Sequence, residues 1–268
     1  AEIGRIVAGV MGGASNVQDI YPLAPLQEGI LFHHLLARDG DPYLLVSLTS
    51  FDSRTRLEGY LSALQRVIDR NDILRTAVMW EGLREPVQVV MRQARLCVEE
   101  VAIAGTGDAA SELEARFNPR QMRLDVRQAP LMRAYVADDA AQGRWLLLHL
   151  SHHLIIDHTT YEVMRSEIEA HLLGQADRLP TPLPFRNFVA QARLGVSAQE
   201  HEAFFRDLLG EVEEPTAPFG LMEVQGDGDG IAEARHHVDA GFALRLRGAA
   251  RRLGTVNVAD RFRCGRPW

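Results

Sequence analysis

The stretch "RWLLLHLSHHLIIDHTTYEVMRSEIEAHLLG" (residues 144–174) joins an apolar strand to an amphipathic helix across a short polar turn. Five of its first ten residues are tryptophan or leucine, and the run of them from 145 to 150 is typical of a buried strand. A capping-box pattern that starts at Thr159 predicts a helix over 159–173. The adjacent histidines His152 and His153 are therefore predicted to end a strand and to lie beside the turn.

The rest of the chain also mixes strands and helices. Apolar residues at helical spacing predict helices over the segments 21–36, 56–74, 110–117 and 241–253. Runs of aliphatic and β-branched residues predict strands over the segments 42–52, 75–80, 86–92, 96–101 and 131–138. Because the two kinds of element do not alternate strictly, the predicted fold class is α/β, a two-layer sandwich with a mixed, mostly antiparallel sheet.

Two of the predicted helices carry an apolar stripe that should face the core. In the helix over 21–36 the stripe comprises Leu26, Ile30, Leu31 and Leu35. In the helix over 56–74 it comprises Leu57, Leu61, Leu64, Val67 and Ile68.

The composition is that of an ordinary globular protein, with 46% hydrophobic and 24% charged residues. The net charge of −7, with arginines and acidic residues interspersed, argues against a nucleic-acid-binding face. No apolar run approaches the roughly 18 residues that a membrane span requires, and no secretory signal is visible. The only cysteines, Cys97 and Cys264, do not make a disulfide framework, so a cytoplasmic location is expected.

The strand predicts opposite directions for the two motif histidines. Alternate side chains share a face, so His149, Ser151 and His153 should point one way and His152 the other. One imidazole can then face a cavity, where it suits proton transfer because it titrates near neutral pH. The other adjacent pairs are interpreted as solvated or half-buried structural residues: His33–His34 and His236–His237.

Spacing argues against a metal site in the turn. A zinc pattern of the form His-x-His-x-Asp-His would use His153, Asp157 and His158, but its remaining ligand position, 155, holds isoleucine. No metal ligand is therefore predicted. A His-x4-Asp pattern, formed by His152 and Asp157, also occurs in glycerolipid acyltransferases, which are associated with membranes. A buried strand with hydrogen-bonded histidines is the plain structural alternative.

The turn resembles the His-His-x-x-x-Asp-Gly signature of nonribosomal peptide synthetase condensation domains, and three further segments resemble that family in the same order. The four segments are "YPLAPLQEGILFHHL" (21–35), "RNDILRT" (70–76), "HHLIIDH" (152–158) and "PFRNFVAQ" (184–191). The resemblance covers about residues 17–254. The chain is therefore identified as a member of this family.

The resemblance implies a lobe like that of chloramphenicol acetyltransferase, one of two that form a V with the active site between them. It implies that two peptidyl carrier domains deliver phosphopantetheine thioesters and that an adenylation domain lies adjacent, while the chain itself binds no cofactor. In the implied reaction the amine of the acceptor aminoacyl group attacks the donor thioester and forms a peptide bond.

The resemblance also implies a role for each motif residue. His153 lies at the reaction centre, where it takes a proton from the attacking amine or orients it. Asp157 pairs with Arg75 and holds the turn, and His152 supports it. The pair of Asp157 and Arg75, together with His152, would fix the position of the His153 imidazole.

Two other motif positions are of interest. Ser151 opens the motif and is counted with the supporting residues. His158 replaces the usual glycine of the family. Histidine there is strained if the position needs a positive φ, and otherwise it is a tolerated variant, which is the expectation.

The resemblance divides the chain into four parts: a linker at 1–16, an N-terminal condensation lobe at 17–177, an inter-lobe segment with the start of a C-terminal lobe at 178–254, and an aberrant tail at 255–268. Because the family's later segments are absent, a truncated domain that is inactive alone is expected. Two other functions stay open. One is a noncatalytic module that docks carrier proteins, and the other is a related acyltransferase that uses coenzyme A thioesters.

Overall fold

Helices and strands follow one another irregularly in the computed structural model, which describes residues 2–104, 107–217, 220 and 238–252. The described residues divide at Ala198 into two compact units. The helices of the first unit are α1 (Glu2–Ala8), α2 (Pro25–Leu36), α3 (Arg54–Arg70), α4 (Ala109–Arg116), α5 (His158–Leu172) and α6 (Phe185–Leu194). Its strands are β1 (Val17–Pro22), β2 (Leu44–Phe51), β3 (Thr76–Met79), β4 (Val87–Met91), β5 (Cys97–Glu100), β6 (Met132–Asp139) and β7 (Arg144–His152).

The larger sheet has the strand order β2-β7-β6-β5. β7 pairs antiparallel with both neighbours, and its register with β2 runs from Leu44 opposite His152 to Phe51 opposite Trp145. β5 pairs parallel with β6. The prediction of an α/β fold with a mixed, mostly antiparallel sheet is confirmed.

Both faces of β7 are apolar because helices cover both. Leu146, Leu148 and Leu150 pack in one cluster with Leu113 of α4, while Leu147 packs with Leu57 of α3. A strand covered on both sides needs apolar residues at successive positions, which explains the continuous run "WLLLHL". α4 thus packs on one face of this sheet and α3 on the other.

Residues 2–16, which were predicted to lie in a linker, belong to the first compact unit. α1 occupies seven of them, and Ile6 and Val10 pack in a core cluster with Ala77 and Val89. The following strand, β1, was not predicted, and it pairs antiparallel with β4 in a second sheet of order β1-β4-β3.

α2 buries a different face from the predicted stripe. Ile30 and Leu31 are buried as expected, but Leu26 is 77% exposed and Leu35 is 47% exposed. The buried positions include the polar residues Gln27 and His34. The spacing of the apolar residues therefore predicted the wrong edges for the buried face of α2. The interior beside this helix contains polar groups that form hydrogen bonds, so polar side chains are buried there. On α3 the predicted stripe is confirmed for Leu57, Leu64, Val67 and Ile68.

The first unit runs past the lobe boundary predicted at 177. α6 belongs to it: Val189 is buried, and the Arg193 guanidinium donates to Leu23 O at 2.8 Å. The second unit contains α7 (Ala198–Leu209) and α8 (Ala240–Arg252). The helix α8 matches the helix predicted over 241–253. The tail predicted at 255–268 lies outside the described residues.

Across the described ranges, no helix combines the length and the apolar character that crossing a bilayer would take.

Candidate active site

The two motif histidines lie where β7 ends and the turn begins. The backbone N–H of His152 donates to Leu131 O at 3.0 Å, and that of His153 donates to Tyr43 O at 2.9 Å. His152 has no exposed surface, whereas His153 is half-buried. One imidazole is therefore part of the interior and the other reaches the surface of the turn.

The strand face that carries His149 and Ser151 is a core face. Both residues are buried, and the His149 Nε2 has no hydrogen-bond partner among the described residues. Burial lowers the pKa of His149 to about 4. His153 differs from them because it follows the last residue of the strand.

Hydrogen bonds fix the backbone after His153. Leu154 N–H donates to the His152 Nδ1 at 3.1 Å, and Leu154 O accepts from the Gln27 side chain at 2.8 Å. Ile155 N–H donates to His152 O at 3.1 Å. With the Tyr43 contact on the other side, the backbone at His153 is held from both directions.

His152 belongs to a buried network that the sequence did not predict. Its Nε2 lies 3.0 Å from the Asp41 Oδ2, and the same oxygen lies 2.7 Å from the Nδ1 of His34. All three side chains are buried. Arg123 closes the network, since its guanidinium donates to His34 O at 2.6 Å and lies 3.4 Å from the His34 Nε2.

The hydrogen bonds define the protonation of both rings. Because the Leu154 N–H occupies the lone pair of the His152 Nδ1, the proton of a neutral His152 is on Nε2, which donates to Asp41. The His34 Nε2 faces the Arg123 donors, so its Nδ1 carries the proton that reaches Asp41. Asp41 therefore accepts from two imidazoles.

The charges agree with this arrangement. Burial opposes ionisation of Asp41, but the hydrogen bonds from His152, His34 and the Tyr43 N–H outweigh it and hold the pKa of Asp41 well below its usual range. Burial likewise lowers the pKa of His152, and the neighbouring Asp41 only partly offsets that effect. A charged Asp41 and a neutral His152 follow.

The donor atoms of His34, Asp41 and His152 lie within 4.8 Å of one another, the only such group of metal-binding side chains in the described ranges. A ligating histidine usually donates its other ring N–H to a second group. Here the other nitrogen of His152 accepts, and that of His34 faces a guanidinium. The arrangement suits a hydrogen-bonded network better than a metal centre.

Asp157 caps a helix instead of pairing with Arg75, so the predicted ion pair is wrong. As the N-cap of α5, its Oδ1 accepts from Thr160 N–H at 2.7 Å. The helix therefore begins two residues earlier than the capping box at Thr159 predicted, with Asp157 as its N-cap. Burial raises the pKa of Asp157, but the hydrogen bonds from Thr160, with smaller effects of the Asp157 backbone N–H and of His153, outweigh it, so the pKa falls below its usual value.

Arg75 holds the smaller sheet together. It is buried in the 3-10 turn before β3, and its Nη1 donates to the Gln18 Oε1 at 2.9 Å and to Met91 O. These partners belong to β1 and β4. Burial lowers the pKa of Arg75. Its hydrogen-bond partners therefore lie in the smaller sheet and not in the turn.

His158 is the first residue of α5 and is exposed. A right-handed helix does not require a positive φ, so this backbone position accepts histidine without the strain that the usual glycine suggested.

Sequence reasoning missed Asp41, His34, Arg123 and Tyr43. One signal was available: Gln27, Ile30, Leu31 and His34 have the i, i+3, i+4, i+7 spacing of a single helix face. Asp41 lies in an irregular loop, where no periodicity marks a buried carboxylate.

A family model of the condensation domain matches residues 17–230 of the chain. The chain is 51% identical over 259 residues to malpibaldin synthetase of Mortierella alpina, which covers 96% of this chain and 5% of that protein. It is 48% identical over 260 residues to malpinin synthetase of the same organism, covering 97% of this chain and 3% of that protein. The chain thus spans a small part of the synthetases it matches.

Solved structures show the same fold. The starter condensation domain of the rhizomide synthetase superposes with a TM-score of 0.59 at 17% identity, over 75% of this chain and 50% of that chain. The first condensation domain of the CDA synthetase gives a TM-score of 0.57 at 16% identity, over 74% of this chain and 52% of that chain.

Fold and motif define an α/β lobe with a histidine at the end of a central strand. The chain belongs to the condensation domain family of the nonribosomal peptide synthetases.

Proposed function

We propose that this chain supplies the histidine-bearing lobe of a condensation site and that His153 acts on the attacking amine. The half-buried position of His153 at the end of β7 carries the proposal. The imidazole is accessible from the surface, while its backbone is held by Tyr43 and by the buried His152.

The proposed reaction joins a donor acyl or peptidyl thioester to the amine of an acceptor aminoacyl thioester. A C–N bond forms, the C–S bond of the donor breaks, and the thiol leaves. The attacking nitrogen must lose a proton, which the His153 imidazole can accept or direct if it lies within hydrogen-bond reach.

The proposed partners are donor and acceptor carrier domains, which hold both substrates on phosphopantetheine, and an adjacent adenylation domain. Two observations support this. The relatives are synthetases, and a starter condensation domain of the same fold was solved in complex with C8-CoA and Leu-SNAC. We also propose a cytoplasmic location, which the free thiol of Cys97 supports.

We further propose that the 268 residues alone do not condense carrier-bound substrates. In the family that the chain resembles, residues of two lobes line the cleft. Holding the amine and the thioester together in that cleft can lower the activation free energy by about 7–11 kcal/mol. The superposition with the solved starter domain takes 75% of this chain and covers 50% of that domain's chain. In this proposal the chain supplies one of the two lobes, the one that carries the His153 imidazole.

The test loads donor and acceptor carriers with defined amino acids and measures dipeptidyl product by mass spectrometry. The reaction is run with this chain alone and with this chain joined to the second lobe of a relative, in wild-type and His153→Ala forms. Product is expected only from the joined wild type. Product from the chain alone would overturn the two-lobe proposal, and full activity of His153→Ala would overturn the role of His153.

The same assay separates the alternative functions. A noncatalytic docking module would bind loaded carriers and yield no product in either form. A coenzyme A-dependent acyltransferase would use an acyl-CoA donor in place of the donor carrier.

A further inference from the structure

We infer that Asp41 is a positioning residue for His153, because its two carboxylate oxygens hold the two segments that fix the His153 backbone. This inference rests on the proposed function and extends it to a loop outside the sequence motif. Asp41 lies 112 positions before His153 in the chain, so only the fold brings the two together.

The first segment is β7 itself. The Asp41 Oδ2 accepts the Nε2–H of His152 at 3.0 Å, and the other nitrogen of that ring accepts Leu154 N–H. The ring of His152 therefore connects Asp41 to the residue that follows His153. If the ring turned, the backbone on both sides of His153 would lose this support.

The second segment is the start of β2. The Asp41 Oδ1 accepts Tyr43 N–H at 3.0 Å, and Tyr43 O accepts His153 N–H at 2.9 Å. The Tyr43 ring also packs edge-on against the His153 ring, with centroids 6.5 Å apart. Asp41 thus acts on His153 through the main chain of Tyr43 and through the Tyr43 ring.

Asp41 is itself held rigidly. Its backbone N–H donates to Pro119 O at 2.8 Å, and Arg123 donates to Gly40 O at 3.2 Å. Gly40 has a φ of +66°, and a Cβ at this position would collide with the backbone carbonyl of Arg120. The loop is therefore pressed against the segment 119–123, which leaves the carboxylate little freedom.

Asparagine cannot replace this carboxylate, although it has the same shape. An amide presents one acceptor oxygen and one NH2 donor. If the NH2 takes the Oδ2 position, it faces the Nε2–H of His152 and the Nδ1–H of His34. If it takes the Oδ1 position, it faces Tyr43 N–H. In either orientation a donor meets a donor, so at least one hydrogen bond of the carboxylate is lost. Asp41→Asn therefore breaks the network with almost no change in volume.

The experiment compares wild type, Asp41→Asn and Asp139→Asn. Asp139 is also a buried carboxylate, at the end of β6, where it pairs at 2.7 Å with Arg144, the first residue of β7, and it serves as the matched control. The first readout is NMR of the chain labelled with 15N-histidine. Wild type should show His152 protonated on Nε2 and His34 on Nδ1. Asp41→Asn should shift the ring signals of His34, His152 and His153, and Asp139→Asn should leave them in place.

The second readout is kinetic and uses the joined two-lobe domain. Asp41→Asn should lower kcat about 10²-fold with KM unchanged, the loss expected from misplacing a reacting group by about 1 Å. Asp41→Glu keeps the charge but moves it by one methylene, and it should shift the His153 signals and lower kcat as well. It also covers the case in which the asparagine variant does not fold.

Unmoved His153 signals and an unchanged kcat in folded Asp41 variants would overturn the inference. Stoichiometric zinc bound through the same three side chains would overturn it too. Failure of the proposed function looks different, because His153→Ala would then retain activity whatever Asp41 does.

Discussion

Removing the imidazole of His149 should make the protein more resistant to acid. The side chain is buried on the core face of β7, and its Nε2 lacks a partner among the described residues. Burial lowers its pKa to about 4, compared with about 6.5 in an unfolded chain. At pH values between these two pKa values, residue 149 binds a proton in the unfolded chain but not in the folded chain. Stability is therefore present above pH 6.5 and is lost progressively towards pH 4.

The size of the effect follows from the two pKa values. Each pH unit of difference corresponds to about 1.36 kcal/mol, so the full contribution of His149 is about 3 kcal/mol. At pH 4.5 about 2.5 kcal/mol of it should already be lost, and at pH 7.5 almost none. This is a large part of the stability of an ordinary domain, which is about 5–15 kcal/mol.

The assay is urea unfolding of wild type, His149→Leu and His158→Leu at pH 7.5 and pH 4.5. His149→Leu should lose about 2.5 kcal/mol less than wild type between the two pH values, because leucine cannot be protonated. His158 is exposed, so its variant should follow wild type and serves as the control. Equal pH dependence of wild type and His149→Leu would refute the assignment of His149 as a buried neutral base.

The remaining predictions concern the motif itself. Arg75 and Asp157 do not touch, so the effects of Arg75→Ala and Asp157→Ala on the free energy of unfolding should add within about 0.5 kcal/mol in a double-mutant cycle. A coupling of several kcal/mol would restore the ion pair. Asp157→Ala alone should cost about 1 kcal/mol, the usual value of a helix N-cap, measured by urea unfolding. In the joined domain, His153→Ala should reduce condensation by about 10²–10⁴-fold at unchanged Tm, whereas His152→Ala should lower the Tm; exchanged effects would contradict the assignment of the two rings. Purified chain should contain no stoichiometric zinc and keep its Tm in chelator, and one zinc per chain by elemental analysis would contradict the tautomers assigned above.

Much of the fold follows from local pattern. The apolar run in β7 and the stripe on α3 were readable because periodicity reports which side of an element is buried. The turn between β7 and α5 and its paired histidines were readable because their residues are adjacent in sequence, and the family was readable from four such short segments in a fixed order. Errors within these elements were small, as in the helix cap, where Asp157 and Thr159 compete for the same role two residues apart.

The partners of the motif residues were decided by the tertiary structure alone. Arg75 and Asp157 have the charges of an ion pair, but the fold gives the first to Gln18 and Met91 O and the second to the backbone of α5. Asp41 meets His152 because β2 pairs with β7 and brings its preceding loop against the end of that strand. A sequence records which groups can donate or accept a hydrogen bond. Which of them meet depends on strand register and on which loop lies beneath the site, and both are set by packing across the whole sheet.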